Sequence, residues 1–587
     1  MAGNIVGMRA KAKKRDGAMS EGRAGTARLV WTVLAAGVSG LVLLPVLAGL
    51  AGIVLPAFGY LPALGHEGFG LDVFARLAAA PGLVQSIAVS VISGLGATLI
   101  AVLATAAILA SAYGTRGLAL MERLIAPILS VPHAAAALGF VFLFAPSGFV
   151  LRLLSPWATG FTAPPDIALV RDPWGVSLIL ALAVKEVPFL FLMALAALGQ
   201  VKARERAAVA RVLGYGRVAA FLNAVWPLVY RQLRMPVLAV LAYSASVVDV
   251  ALILGPTRPA PLGVRVVEWL QAPDLDGWLL GSAGAVAMLA VVAVLVAVWL
   301  GGEAAAGWAA RRVRLGGWRA RRDGVFRYGV LVATVGGVAA LFAGFGGLIL
   351  QSVALYWPFP EAWPEAVSLA AWGRHLPMAG ALVGETLAIA LGASLLALPL
   401  AVVLVEARRH GVRIAGLIYL PLIAPQVAFL FGLSVTAIAV GAVPGRAAVI
   451  LAHALFVLPY ALISLSGPWA ALDPRYERVA ASLGAPAWRR FARVRLPLMV
   501  APLLVTFALS IAVSVGLYLP TQMIGGGRME TVTTEAVAAA TGGDRRLAGI
   551  FATLQLLIPF AGFALARAVP AVLYRHRRGL RPVRGLA

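Results

Sequence analysis

The sequence predicts an all-α polytopic membrane protein of about twelve transmembrane helices. Three observations carry that prediction: an apolar composition, apolar runs of membrane-spanning length, and basic residues confined to alternate connections. The 587 residues are 61% hydrophobic with a mean hydropathy of +0.92, and only 12% are charged. A soluble domain is nearer half apolar and about twice as charged. Runs of about 20 apolar residues, long enough to cross roughly 30 Å of hydrocarbon, occur at 29–53, 86–110, 282–300 and 387–405. Lipid offers no partner to backbone polar groups, so these runs are read as helices. Pro399, Pro421 and Pro425 inside such runs are ordinary for membrane helices.

The net charge of +25 suggests nucleic-acid binding until its placement is considered. Arg and Lys concentrate at 9–28, 202–234, 311–327, 475–495 and 567–584, on every second connection of an even-numbered helical chain. The other connections, around 55–83, 146–174, 257–276, 354–381 and 525–546, carry few bases and comparable acids. That asymmetry predicts both termini in the cytoplasm and contact with anionic lipid, with no nucleic-acid role. The chain has no cysteine, which excludes disulfides, thiolate metal sites and a cysteine nucleophile. The apolar run after the basic first 27 residues is too long for a signal-peptide core and is read as a retained helix.

Spans are expected at 29–53, 84–111, 122–145, 175–199, 233–256 and 278–301, then at 328–353, 382–405, 414–440, 447–466, 499–522 and 547–572. This divides the chain into a basic tail (1–28), a six-helix unit (29–302), a linker with seven arginines (303–327), a second unit (328–572) and a basic tail (573–587). The units share detail. Each third helix has paired prolines before a polar residue, Pro127 with Pro132-His133 and Pro421 with Pro425-Gln426. Each fourth helix has proline before an aromatic, Pro188-Phe189 and Pro459-Tyr460. Six helices per unit imply a parallel repeat.

The most specific signal is a loop that occurs twice, ERAAVARVLGYGRVAAFLNAVWPL from Glu205 and ERVAASLGAPAWRRFARVRLPL from Glu477. At a constant offset of 270, Ala210 meets Ala480, Leu213-Gly214 meets Leu483-Gly484, Phe221 meets Phe491 and Pro227 meets Pro497. Alanine favours a short helix, glycine ends it in a left-handed conformation, and proline suits the first turn of the next helix. Such an elbow can dock in a partner's groove.

This pattern resembles the Glu-Ala-Ala loop of binding-protein-dependent ABC importer permeases. The resemblance implies the type I importer fold, with the loop as the coupling helix that seats in an ATP-hydrolysing subunit. The second copy matches with Glu477, Ala480, Ala481, Gly484 and Pro497. The first departs, with Ala207 where the second has Glu477, Glu205 two residues early, and Arg211 opposite Ala481; Gly214 and Pro227 hold. Fused two-unit chains of this kind resemble permeases for thiamine and ferric iron, and residues 244–270 most resemble the thiamine-type branch. Two ATPase copies and a periplasmic solute-binding protein are the implied partners, in the bacterial inner membrane. No GxxxxGK[ST] loop occurs, and none of Lys11, Lys13, Lys14, Lys185 and Lys202 follows a glycine. ATP is therefore expected on the partner, with no cofactor on this chain and no catalytic residue.

Charges at membrane depth usually face the protein interior. Lys185, Glu186, Asp249 and Glu385 are the candidates for the translocation path, with structural pairing of Lys185 to Asp249 or Glu186 as the alternative. Three acids against one base favour a cation, whether thiamine, ferric iron or a polyamine. His133 and His453 lack the companions of a metal site and read as hydrogen-bonded interior residues. A twelve-helix secondary transporter driven by an ion gradient explains the topology equally well but gives no reason for the repeated loop. A membrane-embedded enzyme would need a convergent cluster that six scattered histidines do not supply.

Overall fold

The computed structural model describes residues 2–575 except 63, 64, 318, 415 and 442, with residues 2–27 described by backbone alone. Among the described residues, nine helices are long and apolar enough to cross a membrane, or eleven if each of two bent helix pairs counts as one span. The protein is thus an all-α polytopic membrane protein with one small exception. Ala354–Tyr356 pairs antiparallel with Ala366–Val367 in a two-stranded ribbon at one end of the bundle.

The span helices are α1 (Ala2–Ala57), α2 (Leu83–Ala112), α3 (His133–Phe144) and α4 (Val176–Leu198). Two short helices, α5 (Ala203–Val212) and α6 (Arg217–Ala224), lead into α7 (Trp226–Ser246), α8 (Asp249–Leu254) and α9 (Leu275–Leu315). Then follow α10 (Gly324–Val353), α11 (Ala370–Arg409), α12 (Gln426–Ala439) and α13 (Arg446–Ala471). The chain continues through α14 (Arg475–Ser482), α15 (Val500–Gly516), α16 (Leu519–Ile524) and α17 (Arg545–Leu573).

Four expected spans are not single straight helices. The third, expected at 122–145, breaks at Val131 and Pro132, between the turn Ala126–Ser130 and α3. The ninth bends by 96° between Gly416–Ile423 and α12, at Ala424-Pro425, where proline has no N–H to continue the ladder. The eleventh, expected at 499–522, starts at a 70° bend between the helical segment Ala487–Leu498 and α15, and breaks at Leu517 and Tyr518 before α16. The fifth starts earlier than expected, takes Arg231 and Arg234 into α7, and breaks at Val247 and Val248 before α8. The expected linker at 303–327 is also mostly helical: α9 continues to Leu315 through the alanine-rich stretch after Glu303, and only 316–323 separate it from α10. The expected tail at 573–587 lies, from residue 576, outside the described residues.

Side chains sort as a bilayer requires. Leu44, Leu395 and Leu451 are at least 60% exposed on outward faces, where lipid rather than water is the solvent. Small residues line the contacts between helices: Ala390, Ala393, Ala397 and Ala401 of α11 are fully buried. Hydrophobic burial gives no drive in lipid, so close backbone approach supplies it through packing. Two crossings take this furthest. A Cβ on Gly49 of α1 would fall 2.1 Å from the Phe429 carbonyl oxygen, and one on Gly432 of α12 would fall 1.8 Å from that of Gly49. A Cβ on Gly344 of α10 would fall 2.9 Å from the Gly139 oxygen of α3. In both cases a helix from one part of the chain leans on the other part.

Element boundaries recur at the offset seen in the loops. The breaks after Ser246 and Gly516, the starts of α8 and α16, and those of α9 and α17 are each 270 residues apart. Even the caps match: Asp274 accepts from the Gly277 N–H at 3.2 Å, and Asp544 from the Leu547 N–H at 2.9 Å.

Candidate coupling loops and interior polar site

Both loops fold into the same elbow. Gly214 has φ +89° and Gly484 φ +77°, the left-handed region where a side chain is strained. The Gly214 N–H donates to Arg211 O and that of Tyr215 to Ala210 O; the Gly484 N–H donates to Ala481 O and that of Ala485 to Ala480 O. These bonds satisfy carbonyls that the end of each short helix leaves open. Pro227 lies in the first turn of α7, and Pro497 in the first turn of Leu496–Leu498. Apolar side chains on the elbows point away from the protein: Val209, Val212 and Leu213 in the first, Val479, Leu483 and Trp488 in the second. Val212 is 88% exposed and Leu483 81%. These two loops lie at the end of α4 and α11 opposite the β-ribbon.

The two elbows are anchored by different physics. In the second, the Glu477 carboxylate accepts from Arg409 at 3.1 and 3.0 Å and also binds Arg495. Arg495, only 3% exposed, bridges Glu477 to Glu406, which also accepts from Trp469 Nε1 at 3.0 Å. A four-member ionic network thus ties the loop to the last turn of α11, and Phe491 packs on Trp469. In the first elbow, Ala207 and the fully buried Val225 occupy the places of Glu477 and Arg495. Glu205 is exposed, 4.0 Å from Lys202. Phe221 packs against Tyr113 instead, with ring centroids 5.3 Å apart. The 316–323 segment backs this elbow: the Gly216 N–H donates to Arg319 O at 3.1 Å, and Asp323 accepts from the Val218 N–H at 2.7 Å.

The interior charges pair differently from the sequence expectation. Lys185 is buried but donates to the carbonyls of Ile128 and Leu129 at 3.2 and 3.4 Å, not to Asp249 or Glu186. Pro132 has no N–H to continue the helical ladder, and at the break the Ile128 carbonyl accepts from both the Val131 N–H at 3.1 Å and the ammonium. Glu186 binds His133 Nε2 at 3.1 Å, and His133 lies against Tyr243 with centroids 4.9 Å apart. Asp249, 8% exposed, lies within electrostatic range of His133, Tyr243 and Tyr518. Glu385 is remote from this group and pairs with Arg446 at 2.8 and 2.5 Å. His453 is fully hydrogen-bonded, to Ser514 at 2.8 Å and Thr521 at 3.0 Å. No three His, Asp or Glu residues converge as metal ligands among the described residues.

Next to this polar group the two expected proline–aromatic positions meet. Phe189 and Tyr460 pack edge to face with centroids 6.1 Å apart. The sequence reading had paired them by pattern without bringing them together in space. It missed the Glu406–Arg495 pair, whose partners are 89 residues apart, although Glu406, an acid one residue beyond the expected span 382–405, was a signal available.

Comparison with known proteins fits these features. Residues 414–569 match the family model described as the binding-protein-dependent transport system inner membrane component. The chain is 31% identical over 502 residues to the inner membrane ABC transporter permease protein YnjC of Escherichia coli K12, covering 85% of this chain and 90% of that protein. It is 35% identical over 153 residues to the molybdenum transport system permease protein ModB of Mycobacterium tuberculosis and of Mycobacterium bovis, covering 24% of this chain and 58% of each relative. No solved structure matches it. With a non-catalytic helical bundle and matching elbows, the chain belongs to the ABC transporter permeases, the inner-membrane components of binding-protein-dependent transport systems.

Proposed function

We propose that this chain is the complete membrane-spanning part of an importer, two parallel six-helix units in one polypeptide, coupled to two ATPase copies through the elbows at Gly214 and Gly484. The observation that carries this reading is the duplicated elbow, with the same left-handed glycine, the same two hydrogen bonds and the same outward apolar face. Boundaries 270 residues apart and the Gly49–Gly432 and Gly139–Gly344 crossings support the two-unit organisation. Exposed Val212 and Leu483 have no use in a protein that works alone, but they suit insertion into a partner's groove. The arginine-rich side, with both elbows and both termini, is the cytoplasmic one. A binding protein delivers solute to the other side.

Closure of the two ATPases would move the elbows, and through them the two units, about their shared interface. The solute path runs between the units past Phe189 and Tyr460, flanked by His133, Glu186, Tyr243 and Asp249. The charge argument for a cationic cargo, thiamine included, loses its footing here. Glu186 contacts His133 and Glu385 pairs with Arg446, leaving Asp249 as the one acid of the three with no Lys, Arg or His in ion-pair contact among the described residues.

The natural absence of cysteine makes the test direct. Val212→Cys and Leu483→Cys, each the only cysteine in its chain, should both cross-link to the ATPase subunit with a short bifunctional maleimide. Labelling of either position from the periplasmic side would overturn the assignment.

A further inference from the structure

On the face opposite the elbows, a cavity of about 1200 Å³ opens between the two parts of the chain. Its walls come from residues 138–171 on one side and from 348–375 and 539–550 on the other, with Ile253 reaching in from α8. Five arginines line it, Arg152, Arg171, Arg374, Arg545 and Arg546, together with His375. The one acid in the wall is Asp544, whose carboxylate is engaged in capping α17.

Arg152 is the unusual member. It is only 7% exposed, yet every hydrogen bond it makes is to a carbonyl: Ser147 at 2.9 Å, Pro358 at 2.6 Å, Glu361 at 2.9 Å and Trp357 at 3.2 Å. The guanidinium also lies 5.0 Å from the centre of the Trp357 ring. These dipoles hold the cation in place without cancelling its charge, and a buried charge without a counter-ion is costly. Arg171 and Arg546 likewise bond carbonyls, of Ile253 and Leu355. Arg374 and Arg545 are exposed in the cavity with no carboxylate partner among the described residues. The N-terminus of α17 opens on the same space and adds its dipole in the same sense. Like charges in a concave, low-dielectric wall concentrate counter-ions there.

We propose that this cavity is the receiving site for a small anionic solute, one that presents a carboxylate, phosphate or other oxyanion to Arg374 and Arg545. The inference rests on the transport reading above and names the class of cargo for it. The planar forks of two arginines suit the two oxygens of such a group. Phe142, Phe149 and Phe359 give the rest of a solute an apolar wall. A cation would meet five positive groups at this mouth, so the site selects against it.

The test uses the full chain with its ATPase in nanodiscs of phosphatidylcholine, treated with phenylglyoxal and read by peptide mass spectrometry. Sulfate, inorganic phosphate, molybdate and citrate serve as probes, with chloride at matched ionic strength as the reference. At about four times its dissociation constant, an accepted anion should slow modification of Arg374 and Arg545 roughly fivefold. Arg475 and Arg478, beside the second elbow, should react at an unchanged rate. Lipid phosphate is present in both arms, so protection reports the free anion. In sealed proteoliposomes, the Arg374→Gln, Arg545→Gln double variant should lose uptake of the protecting anion while keeping its ATPase bound. Equal modification rates with all four probes would overturn the proposal, as would protection only by the secreted binding protein, which would make the cavity a protein-docking surface. Loss of the ATPase from the unaltered chain would instead overturn the transport reading and is scored separately.

Discussion

Phe189 and Tyr460 meet edge to face at 6.1 Å, each one residue after a proline in its own span helix. Proline removes a helical hydrogen bond at each site, so α4 and α13 each have a compliant point at the place where Phe189 and Tyr460 touch. A contact of this kind at the proposed path should open and close with transport. Phe189→Cys with Tyr460→Cys should cross-link through a short bis-thiosulfonate reagent in one nucleotide state and much more slowly in the other. Cross-linking should stop uptake, and reduction should restore it. Equal cross-linking in both states would place the pair outside the moving interface.

Arg495 is held between two carboxylates, Glu406 and Glu477, in a site nearly closed to solvent. Removing it takes from buried Glu406 its closest ionic partner and leaves only the longer ionic contacts to His410 at 3.4 Å and Arg409 at 3.8 Å; breaking a buried pair costs on the order of 3–5 kcal/mol. Arg495→Ala should therefore lower the thermal stability of the detergent-solubilised protein strongly. Glu477→Gln should cost less, since its carboxylate is partly exposed and Arg495 keeps Glu406. The rank order of the two melting temperatures is the measurement.

The left-handed glycines set the elbow shape. Gly484→Val forces a β-branched side chain to φ +77°, a strain of about 1–3 kcal/mol confined to an exposed turn. Membrane insertion should survive, while ATP turnover should no longer drive uptake. Gly214→Val should act in the same way and also press on Arg319, 3.3 Å from the added Cβ. Undiminished uptake in both variants would remove the coupling role.

The Gly49–Gly432 crossing leaves no room for any side chain. Gly432→Leu should separate α1 from α12 and reduce the yield of folded protein, as seen by size-exclusion chromatography. Gly37→Leu on α1, where nothing lies within 4 Å of an added Cβ, should be tolerated.

What the sequence made legible was local or repeated. Apolar runs located the spans because lipid leaves the backbone no alternative to helix. The elbow was legible because glycine and proline dictate backbone geometry wherever they stand. Partner choice was not legible. Lys185 found the carbonyls of Ile128 and Leu129 beside the break at Pro132, and His133 took Glu186, through a kink that spacing alone does not reveal. The bend at Pro425 was read as a straight span because a membrane proline by itself does not tell a kink from a break. The outer arginines escaped notice for a similar reason. They are sparse along the sequence, drawn from three connections, and the fold brings them to one cavity.

One polypeptide is proposed to carry two docking elbows, one for each ATPase copy. The most direct test is the mass of the assembled complex, measured by native mass spectrometry of the chain purified with its ATPase. Two ATPase subunits for each permease chain is the predicted result, falling to one when either elbow is deleted. A complex with a single ATPase that persists after deletion of the Gly484 elbow, or full transport by the chain with no ATPase bound, would contradict the account.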